Sequence, residues 1–278
     1  MPIIAHVPKD RRNPASTHLS HFARNVTSQH GEDGIVARIL DIIGPRNRWV
    51  AEIGAWDGKH LSNSWALINR QSWHGVLVEG DEERSIALRA AYAQQPRVTV
   101  RRAYVGFDEA AVDSIDRILA ETAIPPDFDL LSIDIDGNDY HVWQSMTQYR
   151  PRIVIIEYNP TVANDVVFIQ DPDERLNQGC SLLALVRLGK EKGYELACVT
   201  TSNGIFVADE DFPALGIADN DIDSLRLDDG PRILLGYDGT VFTAGLDYLP
   251  WTSIALGPED LQILPKAMRR YRYEPDQE

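Results

Sequence analysis

The stretch Glu52-Ile53-Gly54-Ala55-Trp56-Asp57-Gly58 follows the apolar run Trp49-Val50-Ala51, and its reading decides the fold of this 278-residue chain. It is an E-x-G-x-x-x-G pattern at a strand-to-helix turn. Glycines there let the backbone bend tightly and approach a ligand, which in an open α/β sheet lies outside the carboxyl ends of the strands. Working outward, short apolar runs at 49–53, 76–79, 98–101, 130–135 and 153–157 alternate with helical patterns near 61–71, 81–94, 113–122 and 139–147. Near-continuous apolar strands separated by helices predict a parallel sheet covered on both faces. A further amphipathic helix is predicted from Ile35 to Ile43, stopping at Gly44-Pro45.

After the fifth strand, 181–188 reads as a helix. Residues 194–200 and 205–207 read as two strands joined by Thr201-Ser202-Asn203-Gly204, a strong hairpin signal. The predicted fold is a mostly parallel, seven-stranded Rossmann-like α/β sheet closed by an antiparallel hairpin, as in class I methyltransferases, with helices on both faces. Residues 1–27 form an arm or flap, 28–207 the ligand-binding domain, and 208–278 an acidic cap. The last carries 15 acidic and 6 basic residues, whereas 1–27 carry 4 basic and 1 acidic.

Composition sets bounds. Hydrophobic residues make up 44% and charged residues 25%, ordinary for a globular protein. The net charge of -15 repels phosphate backbones and anionic membranes, so neither nucleic acid nor membrane is expected as a partner. Cys180 and Cys198 are too few for a metal cluster. With no secretory apolar run at the start, they suggest a reducing, cytoplasmic setting.

The charges around the first turn choose among ligands. A dinucleotide site would place a pyrophosphate on the helix N-terminus, but Glu52 and Asp57 stand in and beside this turn, and carboxylates oppose a diphosphate. They suit a cation, and S-adenosylmethionine offers an amino group and a sulfonium. Glu79 ends the second strand 21 residues after Gly58, the spacing at which an acid accepts ribose hydroxyls. Ala103 and Tyr104 would flank the adenine. The candidate cofactor-contacting set is Gln29, Glu52, Gly54, Ala55, Asp57, Ser62, Asn63, Glu79, Gly80, Ala103 and Asp134.

The motifs together resemble FkbM-type methyltransferases. The resemblance is carried by Ser28-Gln29-x-Gly31-Glu32-Asp33-Gly34, Glu52-Ile-Gly-Ala-x-Asp57-Gly58, Leu61-Ser62-Asn63-Ser64, Trp73-x-Gly75-Val-Leu-Val-Glu79, Asp129-Leu-Leu-Ser-Ile-Asp134-Ile-Asp136-Gly137-x-Asp139 and Ile156-Glu157-Tyr158-Asn159-Pro160. It implies a class I enzyme using S-adenosylmethionine, usually for O-methylation of sugars or small secondary metabolites. Where such proteins often carry Asp-Val-Glu-Gly, this chain has Asp134-Ile135-Asp136-Gly137, whose second carboxylate has the shorter reach.

Methyl transfer to a hydroxyl needs the acceptor held near the sulfonium and its proton removed. Asp136, Glu157 and Asn159 supply hard oxygen ligands from two adjacent strand ends, the inventory for Mg²⁺ or a related divalent ion. Asp139, His141 and, from the flap, His30 are the candidate bases. Other readings stay open: Asp134 as a partner of neighbouring backbone, 136–139 as a turn capping the next helix, and the 28–34 segment as a helix cap. Trp56, Tyr140, Trp143, Tyr158 and Trp251 either line an acceptor pocket or pack the core. Two other functions remain possible, a nicotinamide-dependent oxidoreductase or epimerase and a cofactor-binding module without turnover. The missing G-x-G-x-x-G disfavours the oxidoreductase.

Overall fold

The computed structural model describes residues 3–4, 13–107, 111–226, 232–244, 248, 254–257 and 259–270; Trp251 lies outside the described residues. The chain divides into two compact units, 11–227 and 1–10 together with 228–278.

The larger unit is built on a seven-stranded sheet. Its strands are β1 (Trp49–Ile53), β2 (His74–Glu79), β3 (Val98–Arg102), β4 (Leu130–Ile133), β5 (Ile153–Glu157), β6 (Tyr194–Val199) and β7 (Asn203–Ala208). Their spatial order is β3-β2-β1-β4-β5-β7-β6. β1 pairs in parallel with β2 and β4, and β4 with β5, while β7 runs antiparallel to both neighbours. This is a doubly wound Rossmann-like sheet with an antiparallel hairpin.

The helices are α1 (Glu32–Ile43), α2 (Trp65–Gln71), α3 (Glu82–Tyr92), α4 (Ile115–Ala120), α5 (Asp139–Ser145), α6 (Leu182–Glu191) and the short α7 (Ile222–Leu225). Successive strand residues point to opposite faces. Ala51, Ile53, Leu131, Ile133, Val154 and Ile156 therefore meet α4, α5 and α6 through Leu119, Trp143 and Leu185. Val50, Leu77, Leu130, Ile153 and Ile155 meet α1, α2 and α3 through Ile39, Ile68 and Leu88. Trp143 and Tyr158 belong to this core rather than to a pocket.

Element ends differ from the sequence reading for local reasons. β7 begins at Asn203, inside the expected turn, because Asn203 already pairs across to Glu157 on β5. α2 begins only at Trp65 because the preceding Ser62–Ser64 stretch is held by the Glu52 carboxylate. β4 stops at Ile133, and the chain turns through Asp136 in the left-handed region at φ +58°.

The smaller unit is a three-stranded antiparallel sheet in which Ile3–Ile4 and Val241–Ala244 flank Arg232–Gly236. Among the described residues, no helix is long and apolar enough to cross a membrane.

Candidate active site

The carboxyl ends of β1, β2, β4 and β5 converge on one edge of the sheet, and each delivers an acid. At β1, Gly54 has φ +85°, and a Cβ there would lie 1.8 Å from the Asp134 carbonyl oxygen. Gly58 has φ +78°, and its Cβ would strike Tyr92 and Leu88 of α3. Both glycines are thus demanded by packing of the turn against the protein itself. Between them Trp56, 39% exposed, holds φ +49°, a conformation costly for a side chain of this size. The Arg84 guanidinium stacks over its ring at 3.4 Å from the centroid.

Glu52 is buried, and its carboxylate faces the Ser-Asn-Ser segment. It accepts from Ser62 Oγ at 2.7 Å, from the Asn63 amide at 2.7 Å and from Ser64 Oγ. Burial pushes its pKa up, against these three hydrogen bonds. Asn63 donates from Nδ2 to Ser132 Oγ on β4. Glu52, Ser62 and Asn63 therefore form the support under the turn. Asp57 makes a local turn: its Oδ1 accepts from the Lys59 and His60 amides, which outweigh partial burial and hold its pKa low.

Glu79 is 7% exposed at the end of β2. One carboxylate oxygen accepts from the Trp56 amide at 2.8 Å and the other from the Asp81 amide at 2.9 Å. Each oxygen keeps a lone pair for a further donor. The Tyr104 ring lies over Gly80, where a Cβ would sit 2.5 Å from it, and Ala103 continues β3 through a hydrogen bond to the Glu79 carbonyl.

At the ends of β4 and β5, Asp134, Asp136 and Glu157 each place a carboxylate oxygen within 4.8 Å of the others. Burial, then the charges of Asp139 and Asp136, pushes Asp134 up to about 8. Burial and the same group of acids push Glu157 up to about 10. Three anionic oxygens this close repel one another unless protons or a cation intervene.

The Asn159 side chain is engaged locally. Its Oδ1 accepts from the amide and hydroxyl of Thr161, and its Nδ2 donates to the Gln178 carbonyl. Asp134 occupies the third place in the cluster.

The candidate bases are separated by their environments. Asp139 is buried and accepts from the Ile135 and Gly137 amides at 2.9 Å each, closing the turn around Asp136; burial pushes it up to about 6 against those bonds. His141 Nε2 lies 2.8 Å from the Gln170 carbonyl oxygen. That oxygen can only accept, so Nε2 carries the proton and, in the neutral ring, Nδ1 is left as the basic atom. His30 is half-buried, with its amide on Glu32 Oε2, and Gln29 is exposed.

Several organising residues escaped the sequence reading. Glu32, fully buried, accepts from Thr200 Oγ1 and Asn203 Nδ2 and so ties the 28–31 loop to the β6–β7 turn. Asp33 Oδ2 accepts the amides of Val26, Thr27 and Ser28. Both stand in the 28–34 segment, which the sequence offers as a motif or a helix cap without showing which groups they hold. Gln170 uses its side chain on Asn138, Leu176, Gln178 and Gly179, packing the loop after β5 against the Asp136 turn. Nothing in its irregular surroundings marked it.

Residues 75–196 match the model of the methyltransferase FkbM domain. Over that stretch the chain is similar to FkbM methyltransferases. The match runs from β2 into β6, so Glu79, Ala103, Asp134, Asp136, Asp139, His141, Glu157 and Asn159 lie inside the matched stretch, and the Gly54–Gly58 turn precedes it.

Among solved structures, the N-terminal domain of EvdMO1, crystallised in the presence of SAH and D-fucose, is 13% identical, with a TM-score of 0.42 over 64% of this chain and 82% of that one. A putative O-methyltransferase from Klebsiella pneumoniae is 18% identical, with a TM-score of 0.39 over 69% and 86%. The CurJ carbon methyltransferase is 11% identical, with a TM-score of 0.43 over 63% and 52%. No curated protein matches the chain.

Proposed function

We propose that the protein is an S-adenosylmethionine-dependent methyltransferase acting on a hydroxyl of a sugar or small secondary metabolite, with a divalent cation such as Mg²⁺ assisting. One observation carries the reading: acids close the carboxyl edge of the sheet, at the glycine turn and in the following stretch that matches the FkbM domain model. S-adenosylmethionine, when bound, supplies an electrophilic methyl on a sulfonium.

Glu79 suits the ribose because both its oxygens, fixed by backbone amides, retain acceptor capacity. Gly80, with Tyr104 over it, and Ala103 bound the adenine side, while Gly54, Ala55 and Asp57 shape the turn beneath the methionine end. Gln29 would reach the cofactor from the exposed loop before α1. Glu52, Ser62 and Asn63 act from behind, by holding the turn.

Asp134, Asp136 and Glu157 have the oxygen donors a hard divalent ion requires. These side chains would hold it, and it would acidify and orient a bound hydroxyl. The hydroxyl proton passes to His141 Nδ1, with Asp139 fixing the turn beside it and His30 the alternative from the flap.

Isothermal titration with S-adenosylmethionine, run with and without Mg²⁺, tests the reading. Micromolar binding is expected. No binding under either condition abandons it, and an NADH fluorescence enhancement would favour a nicotinamide enzyme instead.

A further inference from the structure

Glu79 stands inside a closed circuit of side chains and amides. Trp56 donates its amide to Glu79 Oε2, and Asp81 donates its amide to Glu79 Oε1. Asp81 is also the N-cap of α3, where its Oδ1 accepts from the Arg84 amide at 2.9 Å. The Arg84 guanidinium then returns over the Trp56 ring, 3.4 Å from the centroid, and closes the circuit. The glycine turn and the first turn of α3 are therefore joined in two ways, through the Glu79 carboxylate and by a cation on an indole.

The first of these joins depends on a strained backbone. Trp56 holds φ +49°, a region that glycine enters freely and a large side chain does not. Gly54 and Ala55 are pinned by their amides to the Val78 carbonyl, and Gly58 by its amide to the Ala55 carbonyl. Relaxation of residue 56 to negative φ must then be taken up by the peptides between 55 and 58, one of which carries the Trp56 N–H, and that donor would turn away from Glu79. Burial does not hold the residue in place, because the indole is exposed. The Arg84 stack does. Asp81, Glu82 and Glu83 precede Arg84 in the chain, yet it makes no ion pair among the described residues and lies on the ring instead. A planar guanidinium suits an indole face, with which it makes both cation–π and stacking contact.

We propose that Arg84 is a positioning residue for the cofactor ribose: by clamping the Trp56 indole it keeps residue 56 left-handed, and so keeps the Glu79 carboxylate aligned. The proposal rests on Glu79 taking the ribose hydroxyls.

Two measurements on the full chain test it, one without cofactor and one with it. In the cofactor-free protein, Arg84→Ala is expected to speed amide hydrogen exchange at residue 56 about tenfold by ¹H–¹⁵N NMR. The Gly54 and Ala55 amides, bonded to the Val78 carbonyl, are expected to keep their rates, which separates loss of the clamp from general unfolding. In calorimetric titration, Arg84→Ala is expected to weaken S-adenosylmethionine about tenfold. In a Trp56→Gly background the same change is expected to alter the dissociation constant by less than about twofold, because glycine takes the left-handed φ without a clamp. Trp56→Ala keeps the N–H but not that freedom, so it is expected to bind about tenfold more weakly than Trp56→Gly. Unchanged exchange at residue 56 in Arg84→Ala overturns the proposal, as does an affinity loss of equal size in the wild-type and Trp56→Gly backgrounds. Faster exchange at residue 56 in a chain that binds no S-adenosylmethionine upholds the clamp and refutes the methyltransferase reading, so the two failures are distinguishable.

Discussion

Arg152 and Asp129 form an ion pair of 3.1 Å between side chains 6% and 0% exposed, at the edge of the sheet opposite the acids. Asp129 also accepts the amides of Arg46, Asn47 and Arg48 leading into β1. Arg152 donates to the Ile43 and Gly44 carbonyls at the end of α1 and pairs with Asp211. One guanidinium thus closes a helix end, a strand entry and a loop. Removing one partner strands the other charge in the interior, so Arg152→Ala is expected to cost about 3–5 kcal/mol, read as a lower urea midpoint. A loss under about 1 kcal/mol would show that water replaces the guanidinium.

Gly54→Ala is expected to fail structurally. Its methyl would meet the Asp134 carbonyl at 1.8 Å in a left-handed backbone, so β1 and β4 must part. A destabilisation of at least about 2 kcal/mol is expected by denaturant titration. Gly44→Ala is the comparison, since Gly44 shares the positive φ of +67° but has open space around its Cβ.

Glu79→Ala is expected to weaken S-adenosylmethionine at least tenfold by calorimetry, roughly 1.4 kcal/mol or more. It removes the proposed ribose acceptor and frees the Trp56 amide. An unchanged dissociation constant would take Glu79 out of the ribose role.

Much of this was legible in the sequence. Five apolar strands, the hairpin and the acid ending β2 follow from periodicity and spacing, because strands buried on both faces leave little choice of residue. The partners of the acids were not legible. Glu52 and Asp139 are carboxylates at the expected places, yet one supports Ser62–Ser64 and the other closes a turn through Ile135 and Gly137. Asn159 was placed with the ligands by its position just past β5; that Thr161, two residues on, donates to its oxygen in a local turn could not be read there. Short-range hydrogen bonds of this kind leave no periodic trace.

The acidic cluster gives the protein a pH-dependent stability of definite sign. Asp134 and Glu157 titrate higher folded than unfolded, so between the ordinary carboxylate range and about 8 and 10 the folded state binds more protons. Their contribution is fully present below the unfolded values and is lost as pH rises through the folded ones. The melting temperature is expected to fall from pH 6 to pH 9. Glu157→Gln should flatten the slope, and so should Mg²⁺ if the ion binds the cluster. A wild-type melt that is flat or rising over this interval would contradict the raised values.

The three-stranded sheet of the smaller unit has a consequence for how the protein is made. Ile3 and Ile4 pair with Leu235 and Gly236, partners that leave the ribosome more than about 200 residues later. At roughly 5–20 residues per second, Ile3 and Ile4 wait some tens of seconds for their partner strand, while the larger sheet can already assemble. The seven-stranded sheet can therefore assemble before the three-stranded one, and a chain stalled short of residue 235 would leave Ile3 and Ile4 without their partner strand.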